Sequence, residues 1–298
     1  MQGPGAEAGR WRRMETCWID YTRSLRTLQA DIMLTGFSEL MVYLVEPSAI
    51  QGRIITTLLG QLGVIQVHRF TSAAEAMSGM RGTVPSLVIS ALYLPDMSGT
   101  ELVQSMRGDP ELEHVPFILV SSETRPQVLD PVRQSGVCGI LPKPFTEAQL
   151  RRALRATLDY LDADSSLEHA GIELESLRVL VVDDSPSARR FIRRVLENLG
   201  ITHFLEAGNG NEAVAVMAEN MVDLVVTDYN MPEMDGKALV DYIRQKSWQN
   251  SVPVLMVTSE SDQGRLAAVE EAGVSGICDK PFEPSVVKAL LKKILQPD

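Results

Sequence analysis

Residues 223–236 read DLVVTDYNMPEMDG, and residues 86–99 read SLVISALYLPDMSG. Each stretch opens on an apolar run and closes on Pro and Gly at the same spacing, with Ser86 and Asp223 standing 137 positions apart. The same shift carries Pro116 onto Pro253, Gly136 onto Gly273 and Gly139 onto Gly276. It also carries Lys143-Pro144-Phe145 onto Lys280-Pro281-Phe282. A single gapless shift that holds this far means that the chain contains one unit twice. The spacing predicts two homologous domains, at 40–158 and 177–298.

Each copy alternates short apolar runs with amphipathic stretches. In the second copy the expected strands are Arg178–Val182, Thr202–Glu206, Asp223–Thr227, Val254–Val257 and Gly276–Cys278. Runs rich in Val and free of alternation suit central parallel strands covered on both faces. Ser185-Pro186 reads as an N-cap followed by Pro at the first helical position. Ala188, Ile192, Val195 and Leu199 then keep helical spacing up to Gly200. Five strand–helix pairs per copy give the predicted fold class: α/β, with two tandem doubly wound (βα)5 sheets.

The flanking segments are read from composition. Residues 1–39 form a leader expected to be partly disordered or helical, and Met14, Met33 and Met41 are further candidate starts. Residues 159–176 carry six acidic side chains and no Lys or Arg, which predicts an acidic, solvated linker. Leu167, Ile172 and Leu174 within it could build a short docking helix.

The 298 residues are 45% hydrophobic and 22% charged, a globular balance. The net charge of −11 argues against a broad hold on nucleic-acid phosphates. No apolar run reaches the roughly 18–20 residues that span a bilayer. Cys17, Cys138 and Cys278 have no metal-ligand spacing and fit a reducing compartment. A cytoplasmic protein without membrane or nucleic-acid partners is expected.

In a doubly wound sheet, ligands bind beyond the carboxyl ends of the strands. In the second copy those ends hold Asp183-Asp184, Asp228, Thr258 and, after the last strand, Lys280. Three carboxylates, a hydroxyl and an ammonium therefore converge. Clustered carboxylates repel unless a cation compensates, and Mg²⁺ prefers oxygen ligands. One carboxylate in such a site can attack phosphorus and form an acyl phosphate. The ammonium and hydroxyl can then bind the other phosphoryl oxygens.

Through VLVVDDS, DLVVTDYNMPEMDG, PVLMVTSE and CDKPF, the second copy resembles the CheY-like, flavodoxin-like receiver domain of two-component response regulators over essentially all of 177–298. The resemblance implies that Asp228 accepts a phosphoryl group from a histidine of a sensor histidine kinase or a histidine phosphotransfer protein. It implies that Asp183, Asp184 and Asp228 hold Mg²⁺, joined by the backbone carbonyl of Asn230. Lys280 would pair with the phosphoryl group, and Thr258 would move toward it. Ile277 departs from the family pattern, standing where many members carry a switching Tyr or Phe. Asn230 and Glu260 occupy positions that tune phosphoryl lifetime. Arg189, Arg190, Arg193 and Arg194 lie where the family meets its histidine donors.

The first copy also resembles a receiver, but its pocket is altered. Glu46-Pro47 stands at the acidic pair, Ala91 at the acceptor position and Tyr93 in place of Asn230. Ser121 and Lys143 remain at the hydroxyl and amine positions. A methyl group cannot accept a phosphoryl group, so this copy reads as a pseudo-receiver, with Glu46 and Lys143 expected to form an ion pair. A docking or dimerisation role is expected of it, including a homodimer through a receiver face. Arg151, Arg152 and Arg155 form a basic patch near its end.

The expected protein is a response regulator that controls protein–protein contact, catalyses only its own phosphorylation and dephosphorylation, and has no output domain before Asp298. The alternative is a relay intermediate or phosphate sink that exchanges the group with a histidine phosphotransfer protein. A haloacid-dehalogenase-type aspartate phosphohydrolase fits less well. That family places its nucleophile after the first strand, with its two acids separated by one residue. A diguanylate cyclase assembly lacks its cyclase motif.

Overall fold

The computed structural model describes residues 36–161, 174–259, 263–282 and 284–295. The first unit runs β1 (Met41–Val45), α1 (Ala49–Gln61), β2 (Gln66–Phe70), α2 (Ala73–Gly82), β3 (Leu87–Ala91), α3 (Gly99–Arg107), β4 (Phe117–Ser121), α4 (Pro126–Gln134), β5 (Gly139–Pro142) and α5 (Glu147–Leu161). The second repeats that order as β6 (Arg178–Val182), α6 (Pro186–Asn198), β7 (His203–Ala207), α7 (Gly210–Glu219), β8 (Leu224–Asp228), α8 (Gly236–Lys246), β9 (Val254–Thr258), α9 (Gln263–Glu271), β10 (Gly276–Asp279) and α10 (Pro284–Leu295).

Each unit is one five-stranded parallel sheet, in the order β2-β1-β3-β4-β5 and its equivalent β7-β6-β8-β9-β10. The inner strands β3, β4, β8 and β9 are buried along their whole length. The edge strands β2 and β7 consist mainly of exposed and partly buried residues. Burial on both faces selects the β-branched runs, and the edge tolerates His68, Arg69, His203 and Glu206. The expected doubly wound architecture is therefore present in both copies.

The expected strands shift by a residue at their ends. The third and fourth strands of the second unit continue through Asp228 and Thr258, because the ladder still holds there: Asp228 lies opposite Val257, and Thr258 opposite Asp279. Ladder pairing thus fixes the backbone of both residues, which sit at the carboxyl edge of the sheet.

The helix after β6 starts as its sequence predicts. The Ser185 side chain accepts from the Ala188 N–H, and Pro186 occupies the first turn. Ala188, Ile192, Val195 and Leu199 are buried, and Gly200 closes the helix at φ +102°. That angle lies in the left-handed region open to Gly at no steric cost.

Two flanking segments pack more closely than composition suggests. Phe37, assigned to the leader, is 1% exposed and joins the first core. The acidic stretch 159–176 is anchored at both ends: Tyr160 ends α5 with its ring buried, and Leu174 is buried in a short 3-10 turn. Residues 1–35 and 162–173, with Met14, Met33, Leu167 and Ile172, lie outside the described residues. Among the described residues no helix is long and apolar enough to cross a membrane.

The two units meet through one continuous apolar cluster. Cys138 and Tyr160 of the first pack with Phe191, Ile192, Val195 and Phe282 of the second. Tyr160 stacks on Phe191 with ring centroids 5.1 Å apart and planes inclined by 11°. The Asn198 amide donates to the Tyr160 carbonyl, and Arg190 reaches the Arg107 carbonyl at 3.3 Å. Burial pushes the Cys138 thiol up to about 11, against the smaller pull of Arg107.

Candidate functional site

The carboxyl edge of the second sheet brings together the residues read from the motifs. Asp183 follows β6 and is fully buried; its Oδ1 accepts from the Ser185 N–H at 2.8 Å. The same turn is held from outside by Arg189, whose guanidinium donates to the Asp183 carbonyl at 2.6 Å. Asp184 is exposed beside it. Asp228 closes β8, also fully buried, with Oδ1 accepting from the Tyr229 N–H at 2.7 Å.

Lys280 enters from the end of β10. Its backbone N–H donates to the Thr258 carbonyl at 2.8 Å, tying the turn to β9. Its ammonium lies 2.7 Å from Asp183 Oδ2 and 2.8 Å from Asp228 Oδ2. Burial opposes its charge, but the two carboxylates outweigh burial and hold the amine above its ordinary value. Burial pushes Asp183 up, opposed by Lys280, and the Asp228 charge adds to the rise. Carboxylates therefore exceed ammonium in number at this spot, and further positive charge would be favoured.

Asp183, Asp184 and Asp228 each offer an oxygen within 4.8 Å of the others. Such an all-oxygen donor set suits a hard divalent cation. Thr258 ends β9 fully buried, while Asn230 is exposed two residues past Asp228. Ile277 is partly buried and packs against the apolar cluster that contains Leu180, Val182, Val225 and Met256. Glu260 lies outside the described residues.

Gly236 shows why the DG of the motif stands at that place. A Cβ there would collide with the Asp228 carbonyl oxygen, while its N–H donates to the Tyr229 carbonyl at 2.8 Å. Gly236→Ala is expected to displace the backbone of Asp228 and cost about 1–3 kcal/mol, the usual range for overpacking. Urea unfolding checks the cost, and cation binding by the variant checks the displacement.

In the first unit the equivalent residues are satisfied among themselves. Glu46 Oε2 accepts from Lys143 at 2.7 Å, the expected ion pair, and Oε1 accepts from the Ser48 N–H at 2.9 Å. The Ser121 hydroxyl accepts from the Glu123 N–H, and the Tyr93 hydroxyl donates to Glu123 at 3.4 Å. Arg125 holds the Glu123 carboxyl down to about 2. Pro47 and Ala91 offer no carboxylate at the positions equivalent to Asp184 and Asp228.

The basic residues are largely engaged within the chain. Arg189 and Arg193 pair with Glu206, Arg190 faces Glu113 of the first unit at 3.5 Å, and Arg151 pairs with Glu147. Sequence reasoning missed one residue of the cleft. Gln134, at the end of α4 in the first unit, donates from Nε2 to Asp228 Oδ2 at 3.2 Å. It accepts from Lys280 at its Oε1 at 2.9 Å.

Comparison with known proteins agrees with this architecture. The family model "Response regulator receiver domain" matches residues 42–155 and 179–292. Chemotaxis protein CheY of Pseudomonas aeruginosa is 37% identical over 120 residues, 40% of this chain and 97% of that protein. A CheY homolog of Campylobacter jejuni is 39% identical over 120 residues, covering 40% and 92%. Among solved structures, chemotaxis protein CheY4 of Vibrio cholerae matches at 32% identity and a TM-score of 0.38, covering 40% of this chain and 98% of its own. The family match spans most of the chain, once in each unit. The chain belongs to the response regulator receiver domain family and is a two-component response regulator built from two receiver domains in tandem.

Proposed function

We propose that Asp228 is the phosphoacceptor of this regulator and that the second domain is its signalling half. The observation that carries the reading is the meeting of Asp183, Asp184, Asp228 and Lys280 at one sheet edge, two of the carboxylates within 2.8 Å of one buried ammonium. Asp228 is held by the Tyr229 N–H at Oδ1, which leaves Oδ2 as the attacking oxygen. That oxygen attacks the phosphorus of a phosphohistidine in a sensor kinase or phosphotransfer protein. The P–N bond breaks, the imidazole leaves and takes up a proton, and an acyl phosphate forms on Oδ2. Lys280, already beside that oxygen, neutralises the charge that accumulates on the phosphoryl oxygens. Thr258 is the hydroxyl nearest in topology to report the new group to the surface around β10.

The three carboxylates fit Mg²⁺, which Asp183, Asp184 and Asp228 would hold, joined by the Asn230 carbonyl as the resemblance implies. When bound, the cation supplies charge neutralisation between carboxylate and phosphoryl oxygens. The first domain, with Ala91 at the acceptor position, is a non-accepting partner of the second. Output is a change in protein–protein contact with a downstream protein in the cytoplasm. Incubation with a small acyl-phosphate donor and Mg²⁺ should add one phosphoryl group by intact mass, and peptide mapping should place it on Asp228. No adduct with Mg²⁺ present, or one mapped to the first domain, would overturn the reading.

A further inference from the structure

The cleft of the second domain already has an occupant, and it comes from the first. Gln134 ends α4 and projects its carboxamide between Lys280 and Asp228. The orientation of the amide is dictated by its neighbours: an ammonium can only donate, so Oε1 faces it, and a carboxylate can only accept, so Nε2 faces that. Both contacts involve charged groups, the stronger class of hydrogen bond.

The backbone around Gln134 is docked as well. Its carbonyl accepts from the Ser185 hydroxyl at 2.8 Å, at the N-cap of α6. Gly136 follows at φ +69°, with its Cα so close to α6 that a Cβ would stand 3.0 Å from Phe191 Cβ and 3.1 Å from the Ser187 carbonyl. The stacking of Tyr160 on Phe191 and the contacts of Arg190 with Arg107 and Glu113 extend the seat. The turn from α4 to β5 thus covers the first turn of α6, beside the acidic cleft.

We propose that Gln134 is an internal competitor for the acceptor pocket, through which the first domain restrains loading of Asp228. This inference rests on the assignment of Asp228 as acceptor. A phosphoryl group on Oδ2 needs the Lys280 ammonium and the space beside that oxygen, and the Gln134 carboxamide holds both. The docked and phosphorylated arrangements exclude each other. Loading proceeds from the fraction of molecules in which the turn has lifted, and the apparent rate falls by that fraction. By reciprocity, a phosphoryl group on Asp228 weakens the seat of the first domain on α6. The first domain thereby has a use for its receiver fold that needs no acceptor of its own.

The test compares full-length wild type, Gln134→Ala and Asp228→Asn, each with the same small acyl-phosphate donor and Mg²⁺, following both incorporation and decay. Loss of two hydrogen bonds to charged groups predicts that Gln134→Ala loads faster than wild type by at least about tenfold. Arg190→Glu, which sets like charge against Glu113 away from the cleft, should also load faster. Equal loading of wild type and Gln134→Ala, with the adduct on Asp228, overturns the competition and leaves the acceptor assignment standing. So does an unchanged loading rate with slower decay, because the amide would then be positioning water for hydrolysis. An adduct that persists in Asp228→Asn overturns the acceptor assignment, and the competition falls with it.

Discussion

Asp228→Asn is expected to eliminate phosphoryl incorporation, leaving no adduct in intact-mass spectra where wild type gains one group. The substitution keeps the size of the side chain, and its remaining oxygen can still accept from the Tyr229 N–H, the contact that orients the wild-type carboxylate at 2.7 Å. What it removes is the oxygen next to Lys280 that is proposed as the nucleophile. An amide nitrogen is no substitute, because its lone pair is delocalised into the carbonyl. Asp183 retains its partner, with Lys280 still at 2.7 Å, so the fold is expected to survive. The comparison is therefore between two folded proteins. An adduct of unchanged stoichiometry in the variant would move the acceptor elsewhere, with Asp184, exposed at the same edge, as the first place to look.

Lys280→Met should have the largest effect on stability. Lys280 is 7% exposed, and its ammonium bridges two carboxylates that are fully buried. Met fills a similar volume but leaves Asp183 and Asp228 facing each other without a counter-charge. Breaking a buried ion pair from one side typically costs about 3–5 kcal/mol. Urea unfolding followed in the second domain would show a loss of that order. Millimolar Mg²⁺ should restore more stability to the variant than to wild type, since binding to the folded state alone raises apparent stability. A variant as stable as wild type without the cation would mean that the carboxylates have another compensating group.

The fold was legible because duplication turns a weak signal into a strong one. A single Asp-Gly or Lys-Pro is punctuation, but the shift that aligns Gly99 with Gly236 and Lys143 with Lys280 fixes strands and loops together. The strand ends were read one residue short at Asp228 and Thr258, since polar side chains look like loop residues in a sequence. Backbone pairing to Val257 and Asp279 decides otherwise. The candidate site was legible because each of its groups sits next to a strand end, where topology alone forces convergence. Gln134 was not. It occupies the end of an ordinary amphipathic helix, and its equivalent by the repeat shift is Glu271, exposed at the end of α9. Its role depends on how two domains are placed, information carried by Gly136, Tyr160 and Phe191 jointly and by none of them singly. The packing of Tyr160 was missed for a similar reason, since acidic neighbours masked one buried ring.

The stack of Tyr160 on Phe191 makes the repeats something other than beads on a string. Melting either half would uncover aromatic surface belonging to its neighbour, so each half is expected to support the stability of the other. A truncation at the midpoint would leave an oily scar on each fragment. On the proposed assignment, a covalent event at Asp228 in one copy would have to do mechanical work against the packing of the other.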